Sequence, residues 1–95
     1  MQIRFHADAE AELIAARVWY GLQREGLESA FMRRVDEALG HILAAPYIYP
    51  VVYRQLRRAV IRQFPFAIFY EPLADEIFVL AVYHSRRNPE TLRDR

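Results

Sequence analysis

The stretch RRAVIRQFPFAIFYEPLADEIFVLAVYHSRR, residues 57–87, decides the fold. It contains three runs rich in Val, Ile, Phe and Tyr, side chains that pack well on a pleated surface. The runs are Arg57–Arg62, Phe66–Glu71 and Glu76–His84. Each of the two short separators carries a proline, which fixes φ and cannot donate a hydrogen bond to a sheet. The stretch therefore predicts a three-stranded antiparallel meander.

The third of these strands is apolar on both faces. Alternate side chains of a strand point to opposite sides of the sheet. Strict alternation places one set on each side: Ile77, Val79, Ala81 and Tyr83 on the first, and Phe78, Leu80 and Val82 on the second. A strand with one solvated face would alternate apolar and polar residues. We therefore expect both faces of this sheet to be covered.

The first half of the chain predicts one strand and two helices. Ile3 and Phe5 alternate with polar residues, which indicates a short strand. A helix is expected to begin near Ala7 or Asp8 and to stop at Gly26. A second helix has apolar residues at helical spacing and ends at Pro46; these residues are Phe31, Val35, Ala38, Leu39 and Ile42. Residues 46–56 are expected to hold at most a fragment of strand.

The resulting order is β-α-α-β-β-β within a single domain, residues 1–95. This is an α+β fold in which an antiparallel sheet carries an αα-hairpin on one face. The remaining C-terminal piece, Ser85–Arg95, is short and polar, so nothing in the sequence is expected to cover the other face. An uncovered apolar strip beside several Arg is typical of a partner surface. A homodimer through that face is the alternative.

The composition limits the chemistry that is available. The 95 residues are 54% hydrophobic, which excludes disorder, and the formal net charge is only +1. All 13 basic residues are Arg, and there is no cysteine. Arg stays protonated and makes a poor general base. No apolar run reaches membrane-spanning length and the N-terminus has no hydrophobic signal region, so we expect a cytoplasmic protein with no membrane contact.

Several short motifs occur in a characteristic order along nearly the whole chain. They are Trp19-Tyr20, Gly26-Leu27, Phe31, Pro46, Tyr49-Pro50, Arg57-Arg58, Phe64-Pro65-Phe66, Tyr70 and the run Val82–Pro89. With these motifs the chain resembles the RelE/ParE superfamily of toxins from bacterial type II toxin–antitoxin systems. The ParE-like, plasmid-stabilisation branch is the most similar. The resemblance implies the β-α-α-β-β-β fold, and it implies a hetero-oligomer with a small antitoxin, ParD-like or RelB-like, whose C-terminal segment wraps the toxin.

The resemblance also implies two alternative targets. RelE-like proteins cut mRNA in the ribosomal A site, whereas ParE-like proteins act on DNA gyrase. The nuclease branch has basic residues on its middle strands and often a C-terminal Tyr or His. Arg58 and Arg87 match two of its basic positions, but Val60, Ala67 and Arg93 do not match the others. Because half of the nuclease apparatus is absent, we expect a toxin that inhibits DNA gyrase by binding.

The catalytic candidates for the endoribonuclease alternative are Arg58, Arg62, His84 and Arg87. The Arg residues would stabilise charge on a phosphate, and His84 would transfer protons, although a His at a strand end also commonly anchors a loop. A third alternative is a non-toxic remnant that only binds antitoxin. The residues expected to bind antitoxin or target are Arg58, Val60, Arg62, Phe78, Leu80, Val82, Arg86 and Arg87. His6, His41 and His84 lack metal-ligand spacing, so neither a metal nor another cofactor is expected.

Overall fold

The computed structural model describes all residues, 1–95, and has an α+β fold. Its strands are β1 (Gln2–Phe5), β2 (Val51–Tyr53), β3 (Leu56–Val60), β4 (Phe66–Pro72) and β5 (Glu76–His84). Its helices are α1 (Ala7–Gln23), α2 (Leu27–Ala44) and a short 3₁₀ helix (Pro89–Leu92). The strands form one sheet in the order β1-β5-β4-β3-β2. The α+β class and the pair of helices on one face are confirmed.

The sheet differs from the expected one in two details. First, β1 pairs with β5 in parallel, whereas β2 to β5 form the expected antiparallel meander, so the sheet is mixed. The αα-hairpin and the meander together return the chain so that β5 runs alongside β1 in the same direction. Second, the fragment of strand after Pro46 is the short β2, which adds a fifth strand.

The two helices begin in different ways, with a side-chain cap on α1 and a left-handed glycine before α2. The Nδ1 atom of His6 accepts a hydrogen bond from the backbone N–H of Asp8 at 3.0 Å, which caps α1. Gly26 has a φ of 85° and lies immediately before α2, not in the stop position of α1 as expected. The left-handed conformation there allows the tight reversal between the helices and favours glycine.

The main core lies between the helices and the sheet. Tyr20 of α1 and Phe31 of α2 pack against Phe64 and Phe66, with ring centroids 4.9 to 6.2 Å apart. Edge-on and tilted aromatic contacts of this kind add to the stabilisation from burial alone. The sheet contributes further buried side chains to this core: Ala59, Ile61, Ile68, Tyr70, Ile77, Val79 and Val82.

A β-bulge in β5 changes the predicted distribution of side chains. Tyr70 of β4 is opposite Val79, but the preceding Phe69 is opposite Ala81, so Leu80 has no partner on β4. An extra residue of this kind reverses the alternation beyond it. Val82 therefore faces the helices and is only 2% exposed, so its predicted place on the open face is wrong. Ala81 and Tyr83 face the opposite side, together with Phe69.

The opposite side of the sheet, which we call the second face, is partly covered by the chain itself. The 3₁₀ helix brings Leu92 onto Phe69, Ala81 and Tyr83, and Leu92 is almost completely buried. The expectation that nothing covers this face is therefore wrong, because one apolar residue in a polar segment is enough to close its centre. Leu80 and Phe78 stay half-buried at its margin. Neither helix is long and apolar enough to cross a membrane.

Candidate functional site

Arg58 lies on the second face, where it reaches the loop that follows β5. It is paired across the sheet with Phe69, whose side chain is on that face. Its Nη1 atom donates a hydrogen bond to the carbonyl oxygen of Ser85 at 3.4 Å. Val60, two residues further along β3, is on the same face and is 58% exposed. The alternation of β3 thus presents one cation and one apolar side chain to solvent.

Arg86 and Arg87 follow in the same loop. The Arg87 guanidinium lies 3.9 Å from the centroid of the Tyr83 ring, a cation–π contact that fixes its position over the second face. Arg86 is exposed, and its backbone N–H donates to Nδ1 of His84 at 3.2 Å. We call Arg58, Arg86 and Arg87 the basic patch. None of the three forms an ion pair within the chain, so their charges are available to a partner.

Arg62 does not belong to the basic patch. β3 ends at Val60, and Ile61 then turns into the main core. The Arg62 side chain consequently points towards α2, where its Nη1 atom lies 3.7 Å from the Glu37 carboxylate. The predicted strand Arg57–Arg62 would have placed Arg58 and Arg62 on one face; this is wrong, because the regular strand ends at Val60.

The four catalytic candidates are not assembled around one point. The ring of His84 lies on the helix side of the sheet, 6.3 Å from that of Phe66, and Arg58 lies on the second face. His84 and Arg87 do line one open groove of about 390 Å³ at the end of β5. A general acid–base group must be within hydrogen-bond reach of the proton it transfers. The geometry thus separates the proton-transfer candidate from two of the three cations.

Leu80 and Phe78, the two half-buried apolar residues expected to bind a partner, have different surroundings. Leu80 forms the floor of a cavity of about 180 Å³ with Leu56 and Leu92. Arg54 and Arg93 also line this cavity together with Glu71, so cations outnumber acids around it. Phe78 is instead covered by Arg4, whose guanidinium lies 4.1 Å from the ring centroid.

The position of Arg4 is fixed by a carboxylate. Its Nη2 atom lies 2.8 Å from Oε1 of Glu76, and this hydrogen bond lowers the pKa of Glu76. Because the pair holds Arg4 over Phe78, only part of that ring is available to a partner. Leu80 is therefore the more accessible of the two predicted apolar contacts.

An ion pair between Glu12 and Arg95 was not predicted from the sequence. Arg95 Nη2 lies 2.9 Å from Glu12 Oε2, and Arg95 Nη1 also donates to the carbonyl oxygen of Leu80 at 2.9 Å. Glu12 Oε1 accepts from the backbone N–H of Val82 at 3.0 Å. β1 pairs with β5 only as far as Val79. Beyond Val79, the side chains of Glu12 and Arg95 form the hydrogen bonds to the β5 backbone that a neighbouring strand would otherwise form.

The protonation of Arg95 follows from this position. Burial alone would lower its pKa, but the hydrogen bond and charge of Glu12 outweigh that effect and raise the pKa of Arg95. Glu12 and Arg95 are 83 positions apart in the sequence, so no local sequence pattern predicts that they form a pair. No group of three or more His, Cys, Asp or Glu side chains is arranged to hold a metal ion.

The helix pair on a meander and the cations on the sheet define a class of small toxin domain. The family profile described as "ParE toxin of type II toxin-antitoxin system, parDE" matches residues 3–89. The chain therefore belongs to the ParE toxin family of type II toxin–antitoxin systems. No curated protein is detectably similar to it.

The fold is shared with solved structures. A chain from the chromosomal ParDE toxin–antitoxin system of P. aeruginosa superimposes with a TM-score of 0.64 and 19% sequence identity. The match covers 88% of this chain and 95% of that chain. The architecture described above is thus that of a whole domain in a known toxin–antitoxin system.

Proposed function

We propose that this ParE-family toxin inhibits DNA gyrase by binding and is neutralised by a cognate ParD-like antitoxin. The observation that carries the proposal is the separation of His84 from Arg58 by the thickness of the sheet. Cleavage of RNA needs groups that move protons beside groups that stabilise charge. Arg58 lacks such a neighbour, so the basic patch is suited to holding acidic groups rather than to catalysis.

The antitoxin is proposed to lie across the second face. The basic patch offers three cations with no ion-pair partner in the chain, and the cavity above Leu80 offers a few apolar side chains among polar ones, with more cations than acids. An extended segment with acidic side chains and one apolar anchor matches both features. Val60 and the exposed part of Phe78 lie on the same face and complete the proposed contact surface. Arg62 is oriented towards α2 and is left out of it.

The target is tested by inducing the toxin alone in bacterial cells. We expect gyrase-dependent DNA breaks and no mRNA ends at defined A-site positions. His84→Ala should leave toxicity unchanged. The double substitution Arg58→Ala with Arg87→Ala should reduce toxicity, because it removes two charges of the basic patch. Arg33→Ala, which removes an exposed Arg of α2 that has no ion pair, is the matched control.

The same experiment distinguishes the alternatives. Codon-specific mRNA ends that disappear with His84→Ala would establish a ribosome-dependent endoribonuclease and overturn the proposal. Normal growth, together with tight binding to the antitoxin, would establish a non-toxic remnant.

A further inference from the structure

The outward face of α1 is apolar along its length. Ile14, Val18 and Leu22 follow one another at intervals of four residues and are 45%, 49% and 79% exposed. Trp19 lies beside them and is 56% exposed. The opposite side of α1 is already apolar because it faces the core. An exposed apolar stripe of this length on a helix whose other side is already packed is typical of a surface that binds a partner.

The spacing on this face is typical of a helix that packs against another helix. Ala11, Ala15, Val18 and Leu22 are separated by four, three and four residues, and Ala11 and Ala15 are also exposed. A repeat that averages 3.5 residues keeps a seam directed towards one neighbouring helix. We call these four residues, with Ile14 and Trp19, the α1 seam.

The size of the side chains identifies the partner. The first half of the seam has the small residues Ala11 and Ala15, whereas the second half has the larger Val18 and Leu22. Two copies of α1 in antiparallel orientation would place each large residue opposite a small one. A two-fold axis between Ala15 and Val18 sets Ala11 against Leu22 and Ala15 against Val18. A parallel pair would leave a gap at one end and crowd the other.

The charges beside the seam favour the same orientation. Glu10 lies near the start of α1, whereas Arg24 lies at its C-terminal cap. Neither forms an ion pair within the chain. Arg17 lies near the two-fold axis and has to extend its guanidinium away from the seam into solvent. In the antiparallel pair, Glu10 of one copy reaches the level of Arg24 of the other. In a parallel pair, like charges would lie side by side.

We propose that the α1 seam binds a second copy of this chain in an antiparallel, two-fold symmetric helix pair. The seam is one face of a helix about 26 Å long, and a stable interface buries roughly 800 Å² on each partner. The contact is smaller than that, so the dimer should dissociate in the micromolar range. Arg58 and Leu92 lie on the other side of the sheet, so dimerisation leaves the centre of the second face free; only Arg87 borders a groove that Ala15 and Trp19 of the seam also line. The proposal does not depend on the target or on the antitoxin.

Sedimentation velocity over a range of protein concentrations tests the dimer. The wild-type chain should pass from monomer to dimer as its concentration rises. Val18→Glu should be monomeric throughout, because each copy would place a carboxylate in the middle of the seam. Val60→Glu is the matched control, since Val60 is similarly exposed on the second face, and it should dimerise like the wild type. Circular dichroism checks that both variants are folded.

Disulfide cross-linking tests the orientation, because the chain has no cysteine of its own. A chain with Ala11→Cys is mixed with a chain with Leu22→Cys and oxidised. The antiparallel pair should give mostly mixed disulfides, whereas a parallel pair would give only disulfides between identical chains. A wild type that stays monomeric at all concentrations, or a Val18→Glu chain that still dimerises, would overturn the proposal. So would a monomeric wild type whose antitoxin binding is lost with Val18→Glu, since the seam would then belong to the antitoxin.

Discussion

Arg95, the last residue of the chain, has more internal polar contacts than any cation of the basic patch. Its guanidinium joins Glu12 of α1 to the carbonyl oxygen of Leu80 in β5 and lies 5.3 Å from the centroid of the Tyr83 ring. One side chain thus links the helix layer, the edge of the sheet and the second face. A charge-assisted contact in a largely buried place is worth more than a surface ion pair.

We expect Arg95→Ala to lower the free energy of unfolding by about 2–3 kcal/mol, because it leaves the Glu12 carboxylate and the Leu80 carbonyl without their donor. Urea denaturation followed by circular dichroism measures the change. Arg93→Ala removes a nearby exposed Arg that has no ion pair, and it should change stability little. Equal effects of the two substitutions would contradict the role assigned to Arg95.

The ionisation of Tyr70 makes the free energy of unfolding depend on pH in the alkaline range. Its hydroxyl group is buried and donates to the carbonyl oxygen of Pro46 at 2.7 Å, and burial raises the pKa of Tyr70 to about 12. The folded state holds this proton more tightly than the unfolded state, in which a tyrosine has a pKa of about 10. The stabilisation from the protonated Tyr70 is complete at pH values below its pKa in the unfolded state. It is lost as the pH rises through its pKa in the folded state. Burial also raises the pKa of Tyr20, which acts in the same direction.

The expected loss of stability from Tyr70 between pH values of about 10 and 12 is about 2–3 kcal/mol. Tyr70→Phe should remove that part of the pH dependence and leave the smaller part due to Tyr20. Denaturant titrations at several alkaline pH values measure the slope. Tyr53→Phe, which changes a half-exposed tyrosine with no intramolecular hydrogen bond from its hydroxyl group, should keep the wild-type slope.

At the scale of the element, the strands of the meander were predictable because their signals are local. β5 has the predicted bounds, Glu76–His84, because prolines and apolar runs define it without reference to other strands. The bulge at Leu80 was not predictable, because it is defined only by the register with β4. For the same reason, strict alternation predicted the wrong face of the sheet for Val82. Arg62 was misplaced because β3 ends at Val60, two residues earlier than expected, which leaves Arg62 in the turn before β4, where strand alternation no longer applies.

The 3₁₀ helix at the C-terminus was missed for a different reason. Its four residues are too few for a periodic pattern, and a single Leu in a polar segment does not indicate burial. The basic patch was partly predictable, since Arg86 and Arg87 follow β5 directly and Arg58 is on the face assigned by alternation. The Glu12–Arg95 pair, between the two ends of the chain, could be found only in three dimensions.

We expect Leu92→Ala to destabilise the protein by about 2–4 kcal/mol, because Leu92 fills the centre of the second face and truncation leaves a cavity there. The variant should also bind more of an apolar fluorescent dye, since the side chains of Phe69 and Tyr83 lose their cover. Thermal denaturation and dye fluorescence measure the two effects. Leu43→Ala, at a more exposed position on α2, should have a small effect on both. Unchanged dye binding with Leu92→Ala would show that this face is closed by other contacts.

At the scale of the whole molecule, the two exposed surfaces differ in chemistry and lie on opposite sides. The second face has the three unpaired cations of the basic patch and a small cavity of mixed polarity, whereas the α1 seam is apolar. The formal net charge of +1 conceals this separation, because acids elsewhere in the chain offset the Arg residues. A partner for each face would have a different composition, and both could bind at once.

Binding of the antitoxin should weaken as salt rises, because exposed charges are screened over about 10 Å at an ionic strength of about 0.1 M. Isothermal titration calorimetry at low and physiological salt measures this dependence. Replacing Arg58, Arg86 and Arg87 by Ala should lower the affinity and flatten the salt dependence, because association is steered by these charges. The control variant Arg33→Ala should keep the affinity and the salt dependence of the wild type. An affinity of the wild type that does not change with salt would contradict the role of the basic patch.

The parallel pairing of β1 with β5 has a consequence for how the cell makes this protein. The second residue of the chain is hydrogen-bonded to a strand that lies within its final twenty residues, and the terminal Arg95 closes the edge of that strand. During translation those last residues are still inside the ribosome when the helices have already emerged. Although both helices emerge earlier, the sheet can therefore close around β1 only after β5 has left the ribosome.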